Sequence, residues 1–471
     1  MQQFDEELVS GNVLRSVWKL TWPFVGAQVA RGLNVLVAQS LVGHYVGKEG
    51  LAAFGVAMML FFLFITLFIA LLQGMAIHIA RYTGRRDSEV LSRLVYETFK
   101  ATFLILVFFL LPLGYFMAPW ALNLMNTAPE VREHALPFLR TVLLGGAPLM
   151  LLLLVNRAFQ ASGDVRTPLV LGIISTVCNV CVSVLLIVVL DMGVVGAAWG
   201  FIVGPVPSLC IALSLIYRGK MVIRPPKRHV LRLDFSVLKS VMRIGLPTGI
   251  MSLLMTLVGV IILAMLGSLE ESVAAQAAYT VGYIQLFSFF NWVGFSLSAA
   301  SNTLIGQNIG AGDPARGRRC VLTAASGGAL WAIALGFVFW FFPAGLLSIS
   351  AMAEGPVLEI GTGMLRFLAF AGFFTVIAQT CFGGLMGAGD TKSPMFIIII
   401  TQLGILVGYC VLVDHFSVLT VTTVWTAILL AAVARFLLAG TVFLRGRWRH
   451  IRVELKGLET VDPAEGGALG G

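Results

Sequence analysis

The most chemically demanding residue in this sequence is an arginine inside a long apolar run. Arg31 lies about twelve residues from either end of the stretch 18–46, and a guanidinium at the centre of a hydrocarbon-embedded helix costs roughly 2.5–3.5 kcal/mol on insertion scales. With Gln28 and Asn34, or Ala38, it shares one helical face at spacings of three to four. Such a strip reads as inward-facing, so Arg31 is expected to line an internal cavity and hold an anionic group. The plainer alternative is an arginine that hydrogen-bonds carbonyls of neighbouring helices.

Other embedded polar groups fall into small sets. Asn179 and Ser183 lie one turn apart, a spacing that suits either a neutral ion or hydrogen-bond site or the packing of two helices. Gln276, Tyr279 and Tyr283 form an i, i+3, i+7 stripe that would stack on and hydrogen-bond a flat cargo, although aromatics within a bundle more often pack. Gln379 and Thr380 are weaker candidates of the same kind. His44 and His78 sit near the ends of their runs, where an imidazole titrates close to neutral pH and is a candidate for proton linkage. Cys178 and Cys181 have redox spacing but lie within an apolar run without a soluble βαβ context, so they read as packing.

These side chains need elements that can hold them in lipid. The chain of 471 residues is 58% hydrophobic and only 12% charged, which takes the solvent to be a bilayer. Apolar runs near 18–46, 51–80, 96–118, 136–160, 169–190, 195–217, 244–267, 273–303, 321–343, 358–386, 395–412 and 419–444 give twelve candidate spans. They are too long for barrel strands and are therefore predicted helices.

The net charge of +9 is not a nucleic-acid signature, because the basic residues gather in alternate loops. Arg81, Arg85, Arg86 and Arg93 follow the second run, Arg166 the fourth, and Arg316, Arg318 and Arg319 the eighth. Lys392 follows the tenth, and a dense series from Arg218 to Arg243 joins the sixth to the seventh. The expected topology is multi-pass with both termini cytoplasmic. The first run lacks a convincing cleavage site and reads as a retained span.

The two halves resemble each other at an offset of about 224–226 residues. Ala161-Ser162-Gly163-Asp164-Val165-Arg166-Thr167-Pro168 matches Gly387-Ala388-Gly389-Asp390-Thr391-Lys392-Ser393-Pro394, Leu139-Arg140 matches Leu365-Arg366, and Pro23 matches Pro247. Thr83-Gly84 similarly resembles Ile309-Gly310. Six spans per repeat give both halves the same orientation, with a binding region between them near the midplane. The repeated loop has a structural explanation: Gly163 or Gly389 ends one helix in a left-handed conformation, Thr167 or Ser393 caps the next, and Pro168 or Pro394 fits its first turn. Arg157, Arg166 and Lys392 at this level are expected to set topology. The division so implied is an N-terminal segment 1–17, a first lobe 18–217, a basic connection 218–243, a second lobe 244–444 and a tail 445–471.

Trp22-Pro23, Val42-Gly43-His44, Arg157 to Asp164, Gly245-Leu246-Pro247, Gly306 to Gly312 and Gly387 to Lys392 occur in an order that resembles the multidrug and toxic compound extrusion (MATE) family over essentially the whole chain. That resemblance implies an all-α, two-lobed, twelve-helix antiporter of the plasma (inner) membrane that exports organic compounds in exchange for protons or sodium ions. It implies no enzyme activity, no cofactor beyond the coupling ion, and function as a monomer. No Walker-type phosphate loop is present, consistent with ion-driven transport.

Family members commonly carry carboxylates in spans one, five, seven and ten, at positions that fall near Ala38, Ser183, Met255 and Thr375 here, none of which ionises. The 23 acidic residues lie in loops, tails or span ends, with Glu97 and Glu359 closest to being embedded. Coupling would then use another protonatable group or neutral oxygens, and Arg31 is a fixed charge able to stand in for a coupling cation. A flippase for a lipid-linked or polysaccharide precursor is the alternative, and Arg31 would suit it.

Overall fold

The computed structural model describes residues 5–125, 127–219, 221–223, 234–269, 271–348, 356–451 and 453. Lys220, Arg224, Lys227, Arg228 and Arg232 of the central basic run, and Arg452 and Lys456 of the tail, lie outside the described residues.

The described residues are overwhelmingly helical and contain no strand. In chain order the helices are α1 (Glu7–Ser10), α2 (Val13–Tyr45), α3 (Lys48–Gly84), α4 (Ser88–Ile105), α5 (Leu111–Leu124), α6 (Pro129–Gly145), α7 (Ala147–Ala161), α8 (Arg166–Val184), α9 (Gly193–Val203) and α10 (Pro205–Tyr217). There follow α11 (Phe235–Gly267), α12 (Ser272–Tyr279), α13 (Ser288–Gly310), α14 (Pro314–Phe341), α15 (Pro343–Ser348), α16 (Pro356–Gly387), α17 (Lys392–Ile398), α18 (Gly408–Phe416) and α19 (Val421–Arg445). Four π-helical stretches interrupt this pattern, at Leu106–Leu110, Leu185–Val189, Thr280–Leu286 and Ile399–Val407. By length and composition, eight helices can cross a membrane, or up to ten when each bent pair is taken as one span. α2 falls short because Arg31, Gln28 and Asn34 interrupt its apolar run, and α13 because of its serines and asparagines.

The chain forms two compact units. The first holds Ala30–Leu246, and the second holds Glu6–Val29 with Pro247–Ile451, so the division runs inside α2 and α11. In the first unit α3 packs on α6 and α8 on α9. A side chain at Gly74 would meet the backbone of Val241, and one at Gly245 the backbone of Ala70, so this glycine pair lets α3 and α11 cross with their main chains in contact. In the second unit α16 is the central helix, packed on α13, α14 and α19. Gly383 lies against the backbone of Ser298, and Gly387 against that of Asn302.

The helix ends carry one device four times. After α7, the Gly163 amide donates to Gln160 O, the Asp164 amide to Phe159 O, and Asp164 Oδ1 accepts from the Thr167 amide at 3.1 Å. After α16, the Gly389 and Asp390 amides donate to Met386 O and Leu385 O, and Asp390 accepts from both the Ser393 amide and its hydroxyl. Gly312-Asp313 after α13 and Arg86-Asp87 after α3 repeat the pattern, with Asp313 accepting from the Arg316 amide and Asp87 from the Val90 amide. A left-handed residue closes each helix and the following aspartate opens the next. This corrects the capping expectation: Thr167 and Ser393 donate, and the acceptor is the aspartate. The repeat-paired Arg140 and Arg366 also act alike, lying over the rings of Tyr115 and Trp340 at 4.5 and 5.8 Å.

Candidate functional site

The second unit contains a partly open cavity of about 320 Å³. Six segments build its wall, and each contributes a side chain that its helical phase points inward. Met255 of α11 and Thr375 of α16, two of the four positions where carboxylates were expected from family resemblance, face it as neutral groups. Tyr279 ends α12 and Tyr283 lies in the π-helical stretch Thr280–Leu286, and their rings stack at 5.1 Å with 9° between planes. Trp425 of α19 extends this ladder beyond Tyr279, and Phe287 beyond Tyr283.

Polar groups converge on the same space. Gln379 Nε2 donates to Asn291 Oδ1 at 2.8 Å, while Gln379 Oε1 is buried without a partner. Gln402, in the π-helical stretch Ile399–Val407, is 4% exposed; its amide nitrogen reaches only the sulfur of Met255 at 3.1 Å and its Oε1 is also unpartnered. Sulfur is a weak acceptor, so both glutamines hold unused hydrogen-bonding capacity. Arg435 of α19 is 6% exposed and lines the cavity, with its Nε at 3.5 Å from Thr401 Oγ1. Among the described residues, no acidic one lines this wall.

The first unit holds a second polar cluster. Arg157 of α7 donates from Nη2 to Gln73 Oε1 of α3 at 2.6 Å and from Nη1 to Gln160 Oε1 at 3.5 Å. Its charged neighbour is Arg31 of α2. Gln73 Nε2, Asn34 Oδ1 and Asn156 Oδ1 are buried beside no hydrogen-bond partner. Arg157 was read as a topology residue, and its side chain instead turns into the bundle.

The remaining candidates divide by surroundings. Asn179 and Ser183 are 2% and 1% exposed, share a hydrogen bond of 3.3 Å, and pack where Gly200 and Gly204 leave room, so α8 and α9 meet closely there. Gln276 does not join the tyrosine stripe: it donates to Leu263 O at 3.2 Å and fills the space over Gly267. His78 is fully buried, whereas His44 is exposed against Tyr45. Glu97 is buried with both oxygens engaged, by Lys100 Nζ at 2.7 Å and the Asp234 amide at 3.1 Å, while Glu359 is exposed. Arg435, Asn291, Gln402 and Gln73 were not singled out from sequence, although an arginine within the run 419–444 carries the same signal that marked Arg31.

Long apolar helices around a partly open cavity that carries polar side chains define a multi-pass membrane protein of transporter type. The chain belongs to the MatE family, whose profile matches residues 23–185 and 247–411, one copy in each half. It is accordingly a transporter of the MATE multidrug efflux family and not an enzyme. It is 25% identical over 426 residues to the probable multidrug resistance protein YoeA of Bacillus subtilis, covering 88% of this chain and 90% of that one. It is 24% identical to the probable multidrug resistance protein NorM of Thermotoga maritima, covering 93% of each. A protein of Shewanella oneidensis named as an FAD transporter is 24% identical over 80% of this chain and 81% of its own. Among solved structures, the fold is similar to the eukaryotic MATE transporter AtDTX14, with a TM-score of 0.83 at 17% identity over 93% of this chain and 96% of that one. It is equally similar to an outward-facing multidrug resistance MATE transporter, with a TM-score of 0.84 at 20% identity over 94% and 97%.

Proposed function

We propose that this protein is a secondary active exporter of small organic compounds, driven by proton or sodium antiport and working by alternating access as a monomer in the plasma (inner) membrane. The observation that carries this reading is the cavity in the second unit, lined by the edges of an aromatic ladder, by Asn291, Gln379 and Gln402, and by Arg435. Twelve spans in two six-helix lobes, 18–217 and 244–444, with both termini cytoplasmic, complete the picture. That one relative is named as an FAD transporter supports a cargo range extending to anionic metabolites.

Coupling is the open half of the mechanism in chemical terms. Met255 and Thr375 on the cavity wall cannot exchange a proton near neutral pH, so the driving ion binds neutral oxygens or titrates a group elsewhere, with His44 and His78 as the candidates. Arg31, with Gln28 and Asn34 on its face and Arg157 beside it, supplies fixed positive charge in the first unit. Counterflow in proteoliposomes under separate proton and sodium gradients tests the proposal, and stimulation by neither gradient overturns antiport. Arg31→Ala at preserved expression tests the charge, and unchanged transport and substrate range remove Arg31 from the mechanism.

A further inference from the structure

We infer that the cavity of the second unit is a site for planar aromatic anions, held through Arg435. This rests on the efflux reading above and names the chemical class that this unit selects.

A buried guanidinium has five N–H donors in a planar fork and is costly to leave unpaired. Arg435 spends one donor, at the long distance of 3.5 Å, on Thr401 Oγ1, and that hydroxyl already donates to Ile397 O. A structural arginine would engage neighbouring carbonyls or a carboxylate, and Arg435 engages neither among the described residues. Its remaining donors are therefore available on the wall of a cavity that has no acid. Carboxylate, sulfonate and phosphate groups match the fork with two parallel hydrogen bonds.

The rest of the wall defines what the anion is attached to. Tyr279 and Tyr283 stack on each other, with Trp425 and Phe287 over their outer faces, so they offer the cavity ring edges, against which another flat ring packs edge-to-face. Gln379 Oε1 and Gln402 Oε1 are buried acceptors, the first set against Gly294, so the amides add polarity to the wall while the anion contact falls to Arg435. A ligand that satisfies these features has one or two fused rings and an acidic group at one end. The volume of about 320 Å³ suits a ligand of that size and lies at the small end of binding cavities.

Equilibrium binding to the purified, detergent-solubilised protein by titration calorimetry tests this with three probes of one shape: 2-naphthoate, neutral 2-naphthamide and cationic 2-naphthylmethylammonium. The expected result is at least tenfold tighter binding of naphthoate than of either partner. Arg435→Gln should abolish the preference and Arg435→Lys retain part of it. If Arg435→Gln does not fold, Tyr283→Leu remains, expected to weaken naphthoate several-fold. Equal affinity for the three probes in the wild type, or a preference undiminished in folded Arg435→Gln, overturns the site. Naphthoate that binds selectively but is carried by neither gradient in proteoliposomes leaves the site standing and sinks the efflux reading. Gradient-driven export of another cargo by a protein indifferent to naphthoate does the reverse.

Discussion

Arg86 occupies the left-handed backbone position that Gly312 holds 226 residues later, with φ of 60° against 87°. Both close a helix immediately before a capping aspartate. A side chain in this region costs about 1 kcal/mol relative to glycine. Arg86→Gly should therefore raise the thermal unfolding midpoint of the solubilised protein, while Gly312→Ala and Gly389→Ala should lower it. A lower midpoint for Arg86→Gly would mean that the arginine side chain holds the turn by contacts that outweigh the backbone.

The two aspartates at the repeated loops differ in what they hold. Asp390 accepts from the Ser393 amide and hydroxyl, whereas the described cap at Asp164 is the Thr167 amide alone. Replacing either by alanine should cost about 1 kcal/mol, with the larger loss at Asp390. Ser393→Ala should bring the two closer together. Denaturant titration of Asp164→Ala, Asp390→Ala, Ser393→Ala and the double variant Asp390→Ala/Ser393→Ala measures the difference, and equal losses at both sites would rule out a role for the hydroxyl.

Gly200 is where packing and ion binding can be told apart at Asn179 and Ser183. A methyl group there would lie 2.0 Å from Ser183 Oγ, so Gly200→Ala should destabilise by about 1–3 kcal/mol. Ser183→Ala/Gly200→Ala should recover part of that loss. Sodium or proton coupling that survives Ser183→Ala unchanged identifies the pair as a helix contact.

Glu7 ties the amino terminus to the second unit. Its carboxylate accepts from Lys19 Nζ at 2.9 Å and pairs with Arg15, while Arg316 donates to its carbonyl and Asn308 to that of Leu8. The Lys19 hydrogen bond holds the Glu7 carboxyl below its ordinary value of 4.5. A depressed carboxylate contributes stability above the unfolded value and loses it as pH falls through the folded one. The protection of the α1 amides, that is the exchange rate corrected for its intrinsic pH dependence, should thus be flat above about pH 4.5 and fall below it. Glu7→Gln should raise the exchange at neutral pH and flatten the acid response.

The architecture was legible because the bilayer imposes simple rules on composition: apolar length gives helices, and the offset between Gly163-Asp164 and Gly389-Asp390 gives the repeat. The site was legible only in part. Tyr279, Tyr283, Thr375 and Gln379 do line one cavity, but Gln276, one turn before Tyr279 on α12, is drawn to Leu263 O and the space over Gly267 on α11, a contact no helical period reveals. Arg435 announced itself by the same cost as Arg31 and was passed over. Arg157 sits near a loop motif in the sequence, and only tertiary packing shows that Gln73, 84 residues earlier, draws it inward.

The π-helical stretches have a wider consequence. Thr280–Leu286 and Ile399–Val407 correspond, 226 residues earlier, to ordinary α-helix in α3 and α8, and the π stretches of the first unit likewise face α-helix in the second. A shift of one residue in helical phase rotates every later side chain by about 100°. Two copies of one ancestral half can therefore keep identical joints while presenting unrelated interiors. Aligning the copies residue by residue will recover their hinges and misread their contents.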